Sequence, residues 1–246
     1  MAIISSISRV GTSEPFELQV SRNQVGWHYP LFKYGYNPLI INVNETIWDG
    51  GGIYSYPASA LAMTVTSAGG ATDEDVRVTV IGLDTDWKEV QQEVTLDGSG
   101  VATTTQTFRR VFRAYVSGDQ SPTGNITIAN GGTTYAQITL GENQTLMAVY
   151  TVPAGHTFYL TNGTATHGTG TSGGVYMTVR FMLREFGGVF RTATKIDIVE
   201  SEVLFPFTFP LRIPEKSDIE VRAICNKNQN NAVSATFEGV LIWNGD

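Results

Sequence analysis

The sequence predicts an all-β protein: two β-sandwich (jelly-roll-like) domains preceded by an extended N-terminal arm. Three observations carry that prediction. First, the 246 residues include 30 threonines and 26 glycines, while only 16% are charged. An average soluble domain has about 25% charged residues and about 7% glycine. Thr and Gly are poor helix formers, through χ1 crowding and backbone entropy, and suit short strands and tight turns. Second, from Glu45 onward apolar runs recur at the spacing of about 8–12 residues found in sandwiches and barrels. Third, several runs alternate apolar and polar side chains, the period of a half-buried strand.

The arm, residues 1–45, reads differently from the rest. Residues 23–43 mix Trp27, His28, Tyr29, Phe32, Tyr34 and Tyr36 with Pro30 and Pro38 and show no sustained period. This is the pattern of an extended segment that lays rings on its own domain or on a neighbour. Its removal is expected to leave a folded protein that assembles less well. Met1 to Val10 is apolar and Ser-rich but has no basic n-region, so no secretory signal is expected.

The first domain spans residues 46–144. Residues 61–66 and 76–81 alternate and end in glycine, and residues 87–96 run into Asp97-Gly98, a hairpin signal before a strand at Val101. Residues 103–117 could form a helix, but the enrichment in Thr and aromatics favours a strand with a bend or bulge. Residues 125–129 and 135–140 flank Asn130-Gly131-Gly132, a second hairpin.

The second domain, residues 145–246, has longer strands: 145–152, 157–161, 174–185, 189–200, 203–209, 218–226 and 233–243. Val175, Met177, Val179, Phe181 and Leu183 share one face, while Thr178, Arg180 and Arg184 take the other. Ile219, Val221, Ala223 and Cys225 likewise alternate with Glu220, Arg222 and Ile224. Cys225 therefore reads as a small buried hydrophobe. With one cysteine there is no disulfide within the chain, consistent with synthesis in a reducing cytoplasm.

A search for chemistry excludes most function classes. A formal net charge of −7 and a pI near 5.0 lack the basic face that nucleic-acid binding needs. No run of about 18 apolar residues exists, so no membrane span is expected. His28, His156 and His167 have no metal-ligand spacing. Asp73-Glu-Asp75 and Asp84-Thr-Asp86 read as turns, with a hard-cation site the alternative. Gly98-Ser-Gly100 lacks the nucleophile-elbow spacing, and Asp49-Gly-Gly-Gly52 lacks the Lys and helix of a P-loop. No catalytic, cofactor-binding or metal residues are assigned, and no enzymatic activity or cofactor is expected.

Few charges are present, so the arginines stand out. Arg109, Arg110 and Arg113 cluster in one segment, and Arg180, Arg184 and Arg191 in another. They read either as charge guarding a strand edge or as ion-pairing groups for an acidic neighbouring subunit. Trp27, Tyr34, Tyr36, Phe205, Phe207 and Phe209 are the aromatic candidates for an interface. The three phenylalanines share one face of a strand that Pro206 and Pro210 mark as an edge, and they read either as packing inside the sandwich or as contact with a partner.

Several segments carry a family likeness. They are Trp48-Asp-Gly-Gly-Gly-Ile-Tyr54, Gly82-Leu-Asp-Thr-Asp-Trp-Lys-Glu-Val90, Arg184-Glu-Phe-Gly-Gly-Val-Phe-Arg191 and Ile213-Pro-Glu-Lys-Ser-Asp-Ile-Glu-Val221, with the run from Gly141 to Gly155. Over about residues 46–243 the chain resembles virion structural proteins of marine tailed bacteriophages. The resemblance implies a homo-oligomeric subunit present in many copies on the virion, with capsid or neck and tail proteins as partners. Decoration or accessory attachment to the capsid is one such role. A tail fibre or spike that binds host-surface glycans is the other, although no heptad or short repeat of a fibre stalk is present.

Overall fold

The computed structural model describes residues 14–168, 174–199, 202–228 and 230–245. A short helix, α1 (Phe16–Ser21), precedes β1 (His28–Ile40) and the two-residue β2 (Glu45–Thr46). Seven strands follow: β3 (Leu61–Ser67), β4 (Arg77–Leu83), β5 (Glu89–Thr95), β6 (Val101–Phe108), β7 (Arg110–Val116), β8 (Ile126–Asn130) and β9 (Thr133–Ile138). The chain then continues through β10 (Val149–Thr151), β11 (His156–His167), β12 (Met177–Arg184), β13 (Arg191–Ile198), β14 (Glu202–Ile213), β15 (Asp218–Cys225) and β16 (Asn231–Trp243).

These strands build four antiparallel sheets, so the all-β, sandwich-type expectation holds. Sheets β6-β3-β8-β9 and β5-β4-β7 enclose one core, with Met63, Val65, Val78, Val80, Ile126 and Ile128 fully buried. Sheets β1-β16-β11-β14 and β10-β15-β12-β13, the latter extended by β2 on β15, enclose a second core around Phe158, Leu160, Met177, Phe181, Val221 and Phe237. The alternation in β12 and β15 chooses the faces as read: Val175, Met177, Val179, Phe181, Ile219, Val221, Ala223 and Cys225 all point into this core. The first sandwich is thus inserted between β2 and β10, two strands of the second. Leu83, Trp87 and Phe112 of the insert join the second core and seat one sandwich on the other.

The N-terminal arm requires correction. Residues 1–13 lie outside the described residues, but residues 28–40 are not a free arm: β1 pairs with β16 from His28↔Ile242 to Ile40↔Asn231. The reason its period stays hidden is an inverted pattern. Lys33, Gly35 and Asn37 point inward and are buried, whereas Phe32, Tyr34 and Tyr36 point outward. Gly35 permits a close crossing, since a Cβ there would sit 2.3 Å from both Ala148 N and Ile47 O. Because Ile40 is part of the second core, removing residues 1–45 is now expected to cost the fold as well as assembly.

The Asp97-Gly98 turn also differs from expectation. It joins β5 and β6, which belong to different sheets, so it is a corner rather than a hairpin. Asp97 Oδ1 accepts from the backbone N–H groups of Ser99 at 2.8 Å and Val101 at 3.1 Å. That side-chain turn satisfies the backbone while the chain changes sheets. The Asn130-Gly131-Gly132 hairpin is present between β8 and β9, and residues 103–117 break at Arg109 into β6 and β7.

Candidate functional site

Two features stand out in the molecule: an ionic seam between the sandwiches and the open edges of the β1-β16-β11-β14 sheet. The seam forms because the insert's first strand residue after the Arg109 break, Arg110, is aimed at the start of β15. Its Nε lies 2.7 Å from Asp218 Oδ1 and its Nη2 3.2 Å from Oδ2, a bidentate pair. Arg184, at the end of β12, reaches the same carboxylate at 2.6 and 2.9 Å, and Thr151 Oγ1 donates to Oδ1 at 2.7 Å. Asp218 is buried and takes one arginine from each sandwich. One turn of alternation further along β15, Glu220 pairs with Arg222 and accepts from Thr46 Oγ1 at 3.1 Å. Burial raises the Glu220 pKa, opposed by the Arg222 charge and hydrogen bond.

Aromatic rings line this seam. Arg184 lies 4.5 Å from the ring centroids of both Tyr56 and Phe190, and Arg109 and Arg110 each lie 4.8 Å from Trp87. Tyr54 OH donates to Val111 O at 2.7 Å. The predicted Arg109, Arg110 and Arg113 patch is therefore split three ways. Arg110 is buried against Asp218 of its own chain, Arg109 packs on Trp87, and Arg113 is exposed beside Tyr115. The alternation of the strand and the break at Arg109 account for the divergence.

On the far side of the seam, a cleft of about 590 Å³ lies between β1 and the insert, lined among others by Tyr29, Phe32, Lys33, Glu89, Tyr150 and His156. Lys33 is buried, and its Nζ donates to Phe112 O beneath the Phe112 ring. Burial lowers its pKa to about 7, assisted by the Arg113 charge and opposed by Glu89. Nothing in the aromatic run around Lys33 distinguishes it as inward-facing in the sequence.

The aromatic candidates fall into two groups. Tyr34 and Tyr36 stand on the outer face of their sheet beside a ladder of hydroxyls, in which Thr164 bonds Thr236 and Thr166 bonds Ser234, each at 2.5 Å. Trp27 packs its ring 4.4 Å from that of Trp243, at the end of the same sheet. Phe205 and Phe207 are half-buried against the second core, and the Phe205 ring occupies the space a side chain at Gly163 would fill. Phe209 parts from them. Between the pairs Leu160↔Leu211 and Asn162↔Pro206 the register shifts, so residues 207–210 bulge opposite Thr161 and Phe209 is 88% exposed.

The remaining motifs find structural places. Asp84 Oδ1 accepts from Asp86 N at 2.8 Å and Lys88 N at 3.0 Å, a side-chain-stabilised turn. Asp73 is buried and accepts from Ser67 Oγ and from the N–H and hydroxyl of Thr123. His28 and His156 each contact a nearby carbonyl, while His167 sits at the opposite end of β11; part of the predicted loop after it, 169–173, lies outside the described residues. Among the described residues no group of three His, Cys, Asp or Glu converges as for a metal, and no helix is long and apolar enough to cross a membrane.

No family model matches the chain, and no curated protein matches it. Solved structures of infectious bursal disease virus are similar at a low level. The Gx strain structure is 13% identical, over 89% of this chain and 72% of that chain, with a TM-score of 0.27. The T=1 particles derived from that virus give 13% identity, 89% and 70% coverage, and 0.27. The VP2 subviral particle gives 12% identity, 89% and 73% coverage, and 0.27.

Proposed function

We propose that the chain is a non-enzymatic structural subunit of a bacteriophage virion, set in many copies on the particle as a capsid decoration or accessory protein. The observation that carries this reading is the placing of exposed apolar side chains along both open edges of one sheet. On β1, Phe32 is 61% exposed and Tyr34 and Leu39 stand beside it; on β14, Leu204 is 61% exposed and Phe209 projects from the bulge. A solitary domain guards its edges with charge, and apolar groups gathered on an edge mark a contact surface. Two separate patches let each copy meet two neighbours, as rings and lattices require. Pro206 and Pro210 remove ladder donors from β14, which favours side-chain contact there over strand addition. The sequence likeness to phage virion proteins points the same way.

The test is incorporation. Subunits carrying Phe32→Glu with Tyr34→Glu, or Leu204→Glu with Phe209→Glu, are added to particles lacking the protein. Both pairs are expected to keep the wild-type circular dichroism and melting curve but to lose attachment. Attachment at wild-type level by both double variants would overturn the reading.

A further inference from the structure

The mouth of the seam is a cavity of about 330 Å³, between the Asp84–Lys88 turn of the insert and the loops that follow β12 and β14. The cations gathered around it are unequally matched. Arg110 and Arg184 share Asp218, Arg222 takes Glu220, and Arg191 takes Glu185. Arg109 and Lys216 have no carboxylate partner among the described residues, in a chain whose net charge is −7. Arg109 Nε is buried and has no hydrogen-bond partner. The carboxylates that line the cavity, Glu185 and Asp218, are already paired with Arg191 and with Arg110 and Arg184, so the cavity's unmatched charge is positive.

Both unmatched cations line the cavity, and each lies on one ring of a contacting pair. Arg109 lies 4.8 Å from the Trp87 ring, Trp87 meets Phe186 edge to face at 5.5 Å, and Lys216 lies 5.7 Å from the Phe186 ring. Phe186 is 64% exposed at the rim. Both Trp87 (φ 64°) and Lys216 (φ 58°) occupy the left-handed region, which is costly for residues of this size and is retained where it positions a side chain. Asp84 holds the turn that imposes it on Trp87.

We infer that this cavity binds the oxyanion of an acidic saccharide, with Arg109 and Lys216 as the charge partners and Phe186 as the apolar face for the sugar ring. A guanidinium fork and an ammonium match a carboxylate or sulfate, and the cavity has room for one sugar residue. The inference does not depend on the assembly role, because none of these residues lies on the two open edges.

Binding to the full chain is measured by titration calorimetry with glucuronate, galactose 6-sulfate, neutral glucose and inorganic sulfate. Saturable binding of glucuronate or of the sulfated sugar, with dissociation constants of about 1 mM or below, is expected. Glucose should not bind, and inorganic sulfate should bind at least about tenfold more weakly than the preferred acidic sugar. The two acidic sugars distinguish carboxylate from sulfate recognition. Arg109→Gln should weaken binding about tenfold or more, the effect of losing a charge-assisted hydrogen bond. Phe186→Ala should weaken sugar binding at temperatures where circular dichroism shows the variant folded. Absence of binding to both acidic sugars, equal affinity for inorganic sulfate, or unchanged affinity in both variants would overturn the inference.

Discussion

Replacing Asp218 with alanine should cost more stability than any other single change at the seam. The carboxylate is buried and receives four hydrogen bonds from Arg110 and Arg184, between 2.6 and 3.2 Å, with a fifth from Thr151. Removing it leaves the Arg110 guanidinium, itself buried, without a counter-charge. Breaking a buried pair from one side costs about 3–5 kcal/mol. In a chain of this length each kcal/mol moves the melting temperature by about 2–4 °C, so a fall of roughly 6–20 °C is expected by calorimetry. Adding Arg110→Met to Asp218→Ala should recover part of that fall, because the stranded charge is then gone and the methionine still packs on Trp87. A fall below about 2 °C for Asp218→Ala, or no recovery in the double variant, would refute the view that this pair locks the sandwiches together.

Three further outcomes follow from other parts of the fold. Lys33 carries a pKa near 7 in place of its ordinary 10.5, so between those values the unfolded chain holds the extra proton and stability rises with pH. Stability of the wild type relative to Lys33→Met should therefore climb by about 1 kcal/mol per pH unit between roughly pH 8 and 9.5 in urea titrations, and a flat difference would contradict it. Gly35→Ala would drive a Cβ to 2.3 Å from two backbone atoms and should destabilise by about 1–3 kcal/mol, whereas Gly26→Ala, in open space, should change little. Deleting residues 1–45 removes β1 and Ile40 and should abolish the cooperative melt; a sharp transition in the truncated chain would return that segment to the status of an arm.

How far the sequence reveals this molecule depends on where each pattern is written. In β12 and β15 one face meets the core along the whole strand, so the period of two is visible and assigns Val175, Phe181 and Cys225 correctly. In β1 the same period is present with reversed chemistry: rings face outward, and Lys33, Gly35 and Asn37 face inward because the neighbouring backbone is close and a Phe112 carbonyl is available. No local rule anticipates that. The seam is hidden for a related reason. Glu220 and Arg222 sit on the face of β15 that reads as wet, and they are covered only because β2 and Tyr56 close over them. Asp218 looks like an ordinary strand-opening residue until Arg110, 108 positions away in the chain, is brought to it. Tyr34, Tyr36 and Phe209 stand in the sequence as aromatic interface candidates, but Phe209 reads there as sharing a face with Phe205 and Phe207, and the bulge that separates it from them follows from strand pairing.

The most direct test of the account is electron cryomicroscopy of intact particles. Fitting the two seated sandwiches should place the subunit at repeated positions on the particle surface, in many copies, with the β1 and β14 edges turned toward neighbouring subunits. A few copies confined to the tail tip, or particles that lack the protein altogether, would contradict it.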